Sequence, residues 1–235
     1  MPLISPYGRD NAAVLLAVAL GIALLGGLLG GSIAWIASGV AVCVVVLTLW
    51  FFRDPERTLP PEGQKAGVVL APADGRVVGI ARVVEPEFLG GEAVQVSIFL
   101  SPLDVHVNRV PVSGVVRLCR YTPGRFYAAY RPEASQQNEQ TAIGVETPHG
   151  KVLFKQIAGV LARRIVCTLR EGQTVQAGQR FGMMKFGSRM DILLPAERST
   201  LCVHEGMRVR AGQTVLGYLV PAAAERLQEA PRTVA

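Results

Sequence analysis

The sequence predicts a mainly β domain carried behind an N-terminal hairpin of two membrane-crossing helices. Three observations predict it: an uncharged apolar stretch near the N-terminus, a succession of short Val/Ile-rich runs bounded by Gly, Pro or Asp, and an internal repeat near the C-terminus.

The apolar stretch comes first. Residues 12–52 contain no Asp, Glu, Lys or Arg. As one helix they would run to roughly 60 Å, about twice the hydrocarbon thickness of a bilayer, so two helices are expected. The break is legible at "GGLLGGS", residues 26–32, and the helices are placed at about 12–29 and 33–52 with the turn near Gly30 and Gly31. Trp35 and Trp50 suit the two membrane–water interfaces. Arg9 before the hairpin and Arg53 and Arg57 after it place both ends in the cytoplasm by the positive-inside rule. A cleavable signal peptide fits less well, because a second apolar span follows the first. The hairpin holds no candidate catalytic group and reads as an anchor.

From residue 66 the pattern changes. "AGVVLAPADGRVVGIARVV", "AVQVSIFLS", "VHVNRVPVSGVVRLCRY", "AIGVETPHGKVLFKQIAG" and "RRIVCTL" read as strands, with "TPHG" as a hairpin turn. Helical patterning is confined to residues 125–138 and the Ala-rich tail 222–230. "EGQTVQAGQRFG" at 171–182 recurs as "EGMRVRAGQTVLG" at 205–217, both following E-G-x-x-V-x-A-G-Q. The expected form is two related hairpins. The pattern resembles the hammerhead of biotinyl and lipoyl domains, which implies a barrel-sandwich-hybrid-like architecture. "MMKFGS" lacks the Met-Lys-Met carrier tip, so the likeness extends to architecture and not to a carrier role.

Composition narrows the function classes. The chain has 235 residues and a formal charge of +6, which favours anionic partners. Nucleic acid is not expected: no zinc-finger spacing or RNP-type motif occurs, and aromatics are only 6%. Beside an apolar anchor, anionic lipid is the better match. Cys43, Cys119, Cys167 and Cys202 form no CxxC pair and read as buried small hydrophobes. His106, His149 and His204 are too scattered for a zinc motif, so no metal is expected. There is no GxGxxG, no P-loop and no convincing lysine for pyridoxal phosphate.

Between the two repeat copies lies "MMKFGSRMDILLP", residues 183–195, in which Gly187-Ser188 joins two β segments. As a turn the pair is ordinary; as chemistry it sets a hydroxyl beside an uncrowded carbonyl, where a tight scaffold can hold a strained peptide. A serine nucleophile needs a base, and the base an orienting acid. His106, in "SPLDVHVNRVP", is the best base; His149 and His204 read as turn residues. Asp74, in "APADGRVVG", is the candidate acid, although Asp-Gly is far more often only a turn signal; Asp104 is the alternative.

Taken together, "FFRDPER" (51–57), "APADGRV", "LSPLDVHVNRVPVSG", "ASQQNEQ", "GKVLFKQIAGVLARRI" and "KFGSRMDILLP" resemble the phosphatidylserine decarboxylase family, in its short form with a Gly-Ser-Arg processing motif. Each motif alone is weak; their order along nearly the whole chain is specific. The long forms of that family carry a second histidine where this chain has Arg109.

The resemblance implies a proenzyme that cuts itself between Gly187 and Ser188 into a β chain of 1–187 and an α chain of 188–235. The cut converts Ser188 into a pyruvoyl group that forms a Schiff base with phosphatidylserine and yields phosphatidylethanolamine. Asp74 and His106 are implied to assist Ser188. The domains implied are a membrane hairpin with its juxtamembrane segment, 1–56, and a catalytic β domain, 57–235. The partners are an anionic serine phospholipid, the inner (cell) membrane with the catalytic domain on its cytoplasmic side, and the two cleaved chains as a heterodimer that can assemble further. Arg125, Arg131, Arg163, Arg164 and Arg189 are candidates for the headgroup. Two alternatives remain: the same chemistry on another serine phospholipid, such as an ether-linked one, and a non-catalytic membrane-fusion-type adaptor.

Overall fold

The computed structural model describes residues 4–131, 133–160, 165–185 and 187–220. Two helices, α1 (Arg9–Leu29) and α2 (Gly31–Phe51), pack antiparallel about a turn at Gly30 and Gly31, whose φ values of 70° and 56° lie where glycine alone is comfortable. Each has 21 residues, roughly 32 Å at the usual helical rise, and each is long and apolar enough to cross a membrane. Their polar ends meet the chain at one place. Ser5 N–H donates to the Phe52 carbonyl at 2.8 Å, and Ile4 bridges Arg53.

The rest is mainly β, as the sequence predicts. In chain order the strands are β1 (Val68–Leu70), β2 (Gly75–Glu85), β3 (Gly91–Leu100), β4 (Val107–Arg109), β5 (Gly114–Thr122), β6 (Gln140–Thr147), β7 (Gly150–Ile157) and β8 (Ile165–Cys167). They continue as β9 (Thr174–Val175), β10 (Arg180–Met184), β11 (Ser188–Pro195), β12 (Ser199–Leu201), β13 (Arg208–Val209) and β14 (Val215–Leu219). One eight-stranded sheet runs β13-β2-β3-β11-β7-β6-β5-β9 and curls into a half-barrel. Two three-stranded sheets, β1-β14-β12 and β4-β10-β8, complete it. The core between them is apolar, with Ile98, Leu100, Phe154, Phe181, Met190 and Ile192 fully buried.

The repeat has a reason, but not the expected one. Its strands do not pair with each other. β9 pairs with β5 and β10 with β4 and β8, while β13 pairs with β2 and β14 with β1 and β12. Each copy is therefore a hairpin-shaped turn whose two arms enter different sheets. A second repeat supports the first: Pro72-Ala-Asp-Gly75-Arg-Val77 corresponds to Pro111-Val-Ser-Gly114-Val-Val116. Arg109 N–H donates to the Pro72 carbonyl and Leu70 N–H to the Pro111 carbonyl, both at 2.9 Å. Val77 bonds Met207 as Val116 bonds Gln173, and Gly212 bonds Ala71 as Gly178 bonds Val110. The two halves thus exchange backbone hydrogen bonds about a local pseudo-twofold.

Two further expectations change. Among the described residues of 125–138 there is only one helical turn, α3 (Ala134–Gln137). The Ala-rich tail lies outside the described residues. The cysteines are not buried: Cys43 and Cys202 are exposed, and Cys119 and Cys167 are only partly covered.

Candidate active site

The Gly187–Ser188 peptide lies where β11 begins. Ser188 pairs with Leu100 of β3, and Arg189 with Phe99 and Ile157. Strand alternation turns Ser188 to the core face together with Met190 and Ile192, and Arg189 to the opposite face. Ser188 is fully buried and its Oγ has no hydrogen-bond partner among the described residues. Gly187 has φ 65°, a conformation glycine adopts without penalty, so the junction is set by glycine and not by a strained peptide.

The Gly187 carbonyl oxygen is pressed against Gly159, just after β7. A Cβ on residue 159 would lie 1.8 Å from that oxygen. The segment around Gly159 is fixed in turn by buried Asn138, whose Nδ2 donates to the Ala158 carbonyl at 2.7 Å and the Tyr127 carbonyl at 2.8 Å. Its Oδ1 accepts from Tyr127 N–H at 2.9 Å. The sequence reading singled out neither residue for a role, since both matter through backbone approach and not through a reactive group.

His106 follows β3 and precedes β4. Its carbonyl accepts Met184 N–H at 3.3 Å, which ties it to the strand that leads into the Gly187–Ser188 junction. The ring is fully buried, and neither nitrogen has a hydrogen bond of normal geometry among the described residues. Burial pushes its pKa down from 6.5 to about 4; the Asp104 carbonyl and the Asp104 carboxylate oppose the shift, and the Arg53 charge adds to it. The imidazole is therefore neutral at physiological pH. The ring also packs on Phe51, the last residue of α2, with centroids 4.2 Å apart. Phe51 belongs to a small apolar cluster with Ala12, Phe52 and Met183. Buried Lys185 reaches back to Asn11 Oδ1 in α1. The base of the helical hairpin is thus one wall of the site, a role that the sequence, read as an anchor, did not suggest.

Asp74 and His106 are not hydrogen-bonded to each other. The Asp74 carboxylate takes a two-pronged contact from Arg57, with Nη2 to Oδ2 at 2.7 Å, and accepts Ala211 N–H at 2.8 Å. Its reach to His106 is through charge alone. His149, at the β6–β7 turn, and His204, exposed beside Glu205, lie at turns as expected. The juxtamembrane segment is bolted to the β domain. Arg180 pairs with Asp54 at 2.8 Å and Glu56 at 2.9 Å, and Arg109 donates to the Pro55 and Gly178 carbonyls, each at 3.0 Å. Arg109 is therefore a structural clamp in this chain.

Of the arginines proposed for the headgroup, Arg189 is committed on the face away from Ser188, to Asp191 at 2.6 Å and to Ser97. Ser135 closes that cluster by donating to Asp191 at 2.6 Å. Arg125 contacts the Tyr127 hydroxyl. Arg163 and Arg164 lie outside the described residues.

The site thus holds a buried serine without a hydroxyl partner among the described residues, a carbonyl set by glycine, and a buried neutral histidine whose own carbonyl is tied to the preceding strand. The family model described as phosphatidylserine decarboxylase matches residues 45–217. The chain belongs to the phosphatidylserine decarboxylase family. It is 52% identical over 207 residues to a protein of Salinibacter ruber, covering 86% of this chain and 90% of that one. It is 43% identical over 217 residues to one of Chlorobium phaeobacteroides, covering 92% and 100%. A protein of Symbiobacterium thermophilum is 47% identical over 186 residues, covering 79% and 85%. All three are named phosphatidylserine decarboxylase proenzyme. The match begins inside α2 and takes in Phe51, Asp74, His106, Gly159, Gly187 and Ser188.

Proposed function

We propose that this protein is a self-maturing phosphatidylserine decarboxylase that works at a membrane surface. The observation that carries this reading is the similarity, along nearly the whole chain, to proteins named as proenzymes of that activity. A proenzyme must be converted, and the Gly187–Ser188 junction has the parts for conversion.

In the proposed maturation, Ser188 Oγ attacks the Gly187 carbonyl carbon. The hydroxyl proton passes to a base, for which neutral His106 is the candidate. The C–N bond breaks, the nitrogen is protonated, and an ester results. Loss of the Ser188 α-proton expels the Gly187 carboxylate. The dehydroalanine left behind tautomerises to an imine and takes up water, releasing ammonia and leaving a pyruvoyl group at the new N-terminus. The site fits that group: residue 188 is buried, faces the core, and begins a strand held on both sides by β3 and β7. For the same reason a chain of 188–235 would stay paired with a chain of 1–187 after the cut. The pyruvoyl carbonyl supplies the electron sink that decarboxylation of an α-amino acid needs and that ordinary side chains lack. His106 is then the candidate proton donor to the reacting carbon. Asp74 acts at a distance: it holds Arg57 and the Ala211 turn, and its charge favours a proton on His106.

The lipid substrate accounts for the architecture. Two apolar helices whose base touches His106 would hold the site at the bilayer, with both ends of the hairpin on the cytoplasmic side of the cell membrane. Incubation of the purified protein with phosphatidylserine tests the reading. The expected result is carbon dioxide and phosphatidylethanolamine, with the protein running as two chains. An intact chain that leaves the lipid unchanged would overturn it.

A further inference from the structure

A second cavity, of about 590 Å³, opens beside the base of the hairpin. Its mouth lies between Trp50, in the last turn of α2, and the loop after β3. Trp50 is half exposed and Leu103 is 66% exposed. The loop is fastened to the helix end: Trp50 Nε1 donates to the Leu103 carbonyl at 3.2 Å, and Arg53 Nη2 donates to the same oxygen at 2.8 Å. An indole at the end of an apolar helix beside an exposed leucine marks the level at which acyl chains give way to headgroups.

The far wall is cationic. Arg53, Arg208 and Arg210 line it. Arg53 spends its hydrogen bonds on carbonyls and lies 4.1 Å over the Trp50 ring. Arg210 has no carboxylate partner among the described residues, and Arg208 meets only Asp104, at 3.7 Å with its side chain 75% exposed. The carboxylates that face the cavity are already engaged. Asp74 is held by Arg57, and Asp104 accepts Ser101 N–H at 2.8 Å. Positive charge thus exceeds what the protein itself neutralises, at the depth of a lipid phosphate.

Residues that line the cavity also flank the candidate site along the chain. Ser101 follows Leu100, the strand partner of Ser188, and Asp104 is two residues before His106. Asp104, Arg53 and Asp74, which all line the cavity, are the charged groups that act on the His106 ring. In a serine phospholipid the phosphodiester is separated from the α-carbon by one oxygen and one methylene. The amino acid end thus stays within a few bonds of a held phosphate.

We infer that this cavity is the phosphodiester subsite for the lipid, with Arg53, Arg208 and Arg210 as its cationic wall and Trp50 and Leu103 as its rim. This rests on the proposed decarboxylase activity. It also replaces Arg189, which strand alternation puts on the wrong face of the sheet. The subsite takes the anionic phosphodiester and not the serine carboxylate, so it sets how lipid is gathered and oriented.

The test uses full-length protein in phosphatidylcholine vesicles with a varied mole fraction of phosphatidylserine. Only matured protein is assayed, quantified as two chains. The variants are the double substitution Arg208→Gln/Arg210→Gln, its charge-keeping counterpart Arg208→Lys/Arg210→Lys, and the remote exposed control Arg82→Gln. Loss of two charge-assisted contacts should raise KM by about tenfold or more while kcat changes by about twofold or less. The Lys pair should recover most of that loss, and Arg82→Gln should match the parent. An unchanged KM in the Gln pair, or a loss confined to kcat, overturns the inference. A parent protein that leaves phosphatidylserine intact overturns the underlying reading instead.

Discussion

The imidazole of His106 lies 4.2 Å, centroid to centroid, from the ring of Phe51, so the residue that closes the second apolar helix packs directly on the candidate site. A mere anchor would be separable from the domain it carries. This one is not, because Phe51 shares its cluster with Met183 of β10, one residue before Met184, whose N–H is held by the His106 carbonyl.

The first prediction follows from that contact. Removing residues 1–52 should impair self-cleavage even where a soluble protein is recovered. Phe51→Ala in the full chain should destabilise it by about 3 kcal/mol, the usual loss for a buried Phe truncated to Ala, and slow maturation. Phe51→Leu should restore most of both. Thermal unfolding in detergent and a gel time course measure the two effects. A truncated chain that matures at the parent rate would show that the helices only tether.

The second concerns pH. Burial lowers the His106 pKa from 6.5 to about 4, so the folded chain binds this proton less readily than the unfolded chain. The stability linked to His106 is fully present above about pH 6.5 and is lost as the pH falls toward 4. The His106-dependent part of self-cleavage should therefore be flat between about pH 5.5 and 8, with no inflection at an ordinary imidazole value. Cleavage of freshly folded protein, followed at a series of pH values against His106→Ala, checks this. A rate that falls with a midpoint near 6.5 would mean a solvated ring.

Much of this was legible in the sequence because it rests on local signals. The uncharged run and its glycine break gave both helices to within a few residues, and Val/Ile runs gave most of the strands. Gly187-Ser188 stood out because it interrupts two apolar segments. What was not legible depends on approach between distant segments. Gly159 carries no motif that points at Gly187, and the Phe51–His106 contact joins residues 55 apart in the chain. The repeat was read as two hairpins, because sequence similarity shows that two segments share a shape but not which strands they pair with. The placement of Arg189 is simpler: neighbours in a strand face opposite ways, so it lies across the sheet from Ser188.

The third prediction separates the roles of Ser188, His106 and Asp74. Ser188→Ala should remain full length, since no hydroxyl is left to attack. His106→Ala should slow cleavage by about 10²–10⁴-fold, the usual worth of general-base assistance. Asp74→Asn and Arg57→Gln break the same ion pair, in which both side chains are largely buried. If Asp74 serves only as a clamp, the two variants should lose stability and maturation alike. If its charge also supports His106, Asp74→Asn should mature more slowly than Arg57→Gln at equal stability. Equal rates would limit Asp74 to a structural role.

The last prediction concerns the carbonyl that must be attacked. Gly159 is not in the left-handed region that favours glycine, so Gly159→Ala acts chiefly through contact. That contact is severe, since the new Cβ would fall 1.8 Å from the Gly187 oxygen and also crowd the Ala129 Cβ at 3.3 Å. The segment bearing Gly159 cannot retreat easily, because Asn138 holds the Ala158 carbonyl and Ala158 N–H donates to the Glu139 carbonyl at 2.9 Å. The Gly187–Ser188 peptide should therefore shift, displacing the carbonyl that the proposed maturation attacks. A misplacement of about 1 Å at a reacting atom can cost about 10²-fold in rate, so Gly159→Ala should mature that much more slowly. Gly91→Ala, where an added Cβ meets nothing within 4 Å, is the control and should mature normally. A gel time course gives the rates, and thermal unfolding of each uncut chain shows whether fold or chemistry is affected. Normal maturation of Gly159→Ala at parent stability would mean that the carbonyl reaches Ser188 without this support.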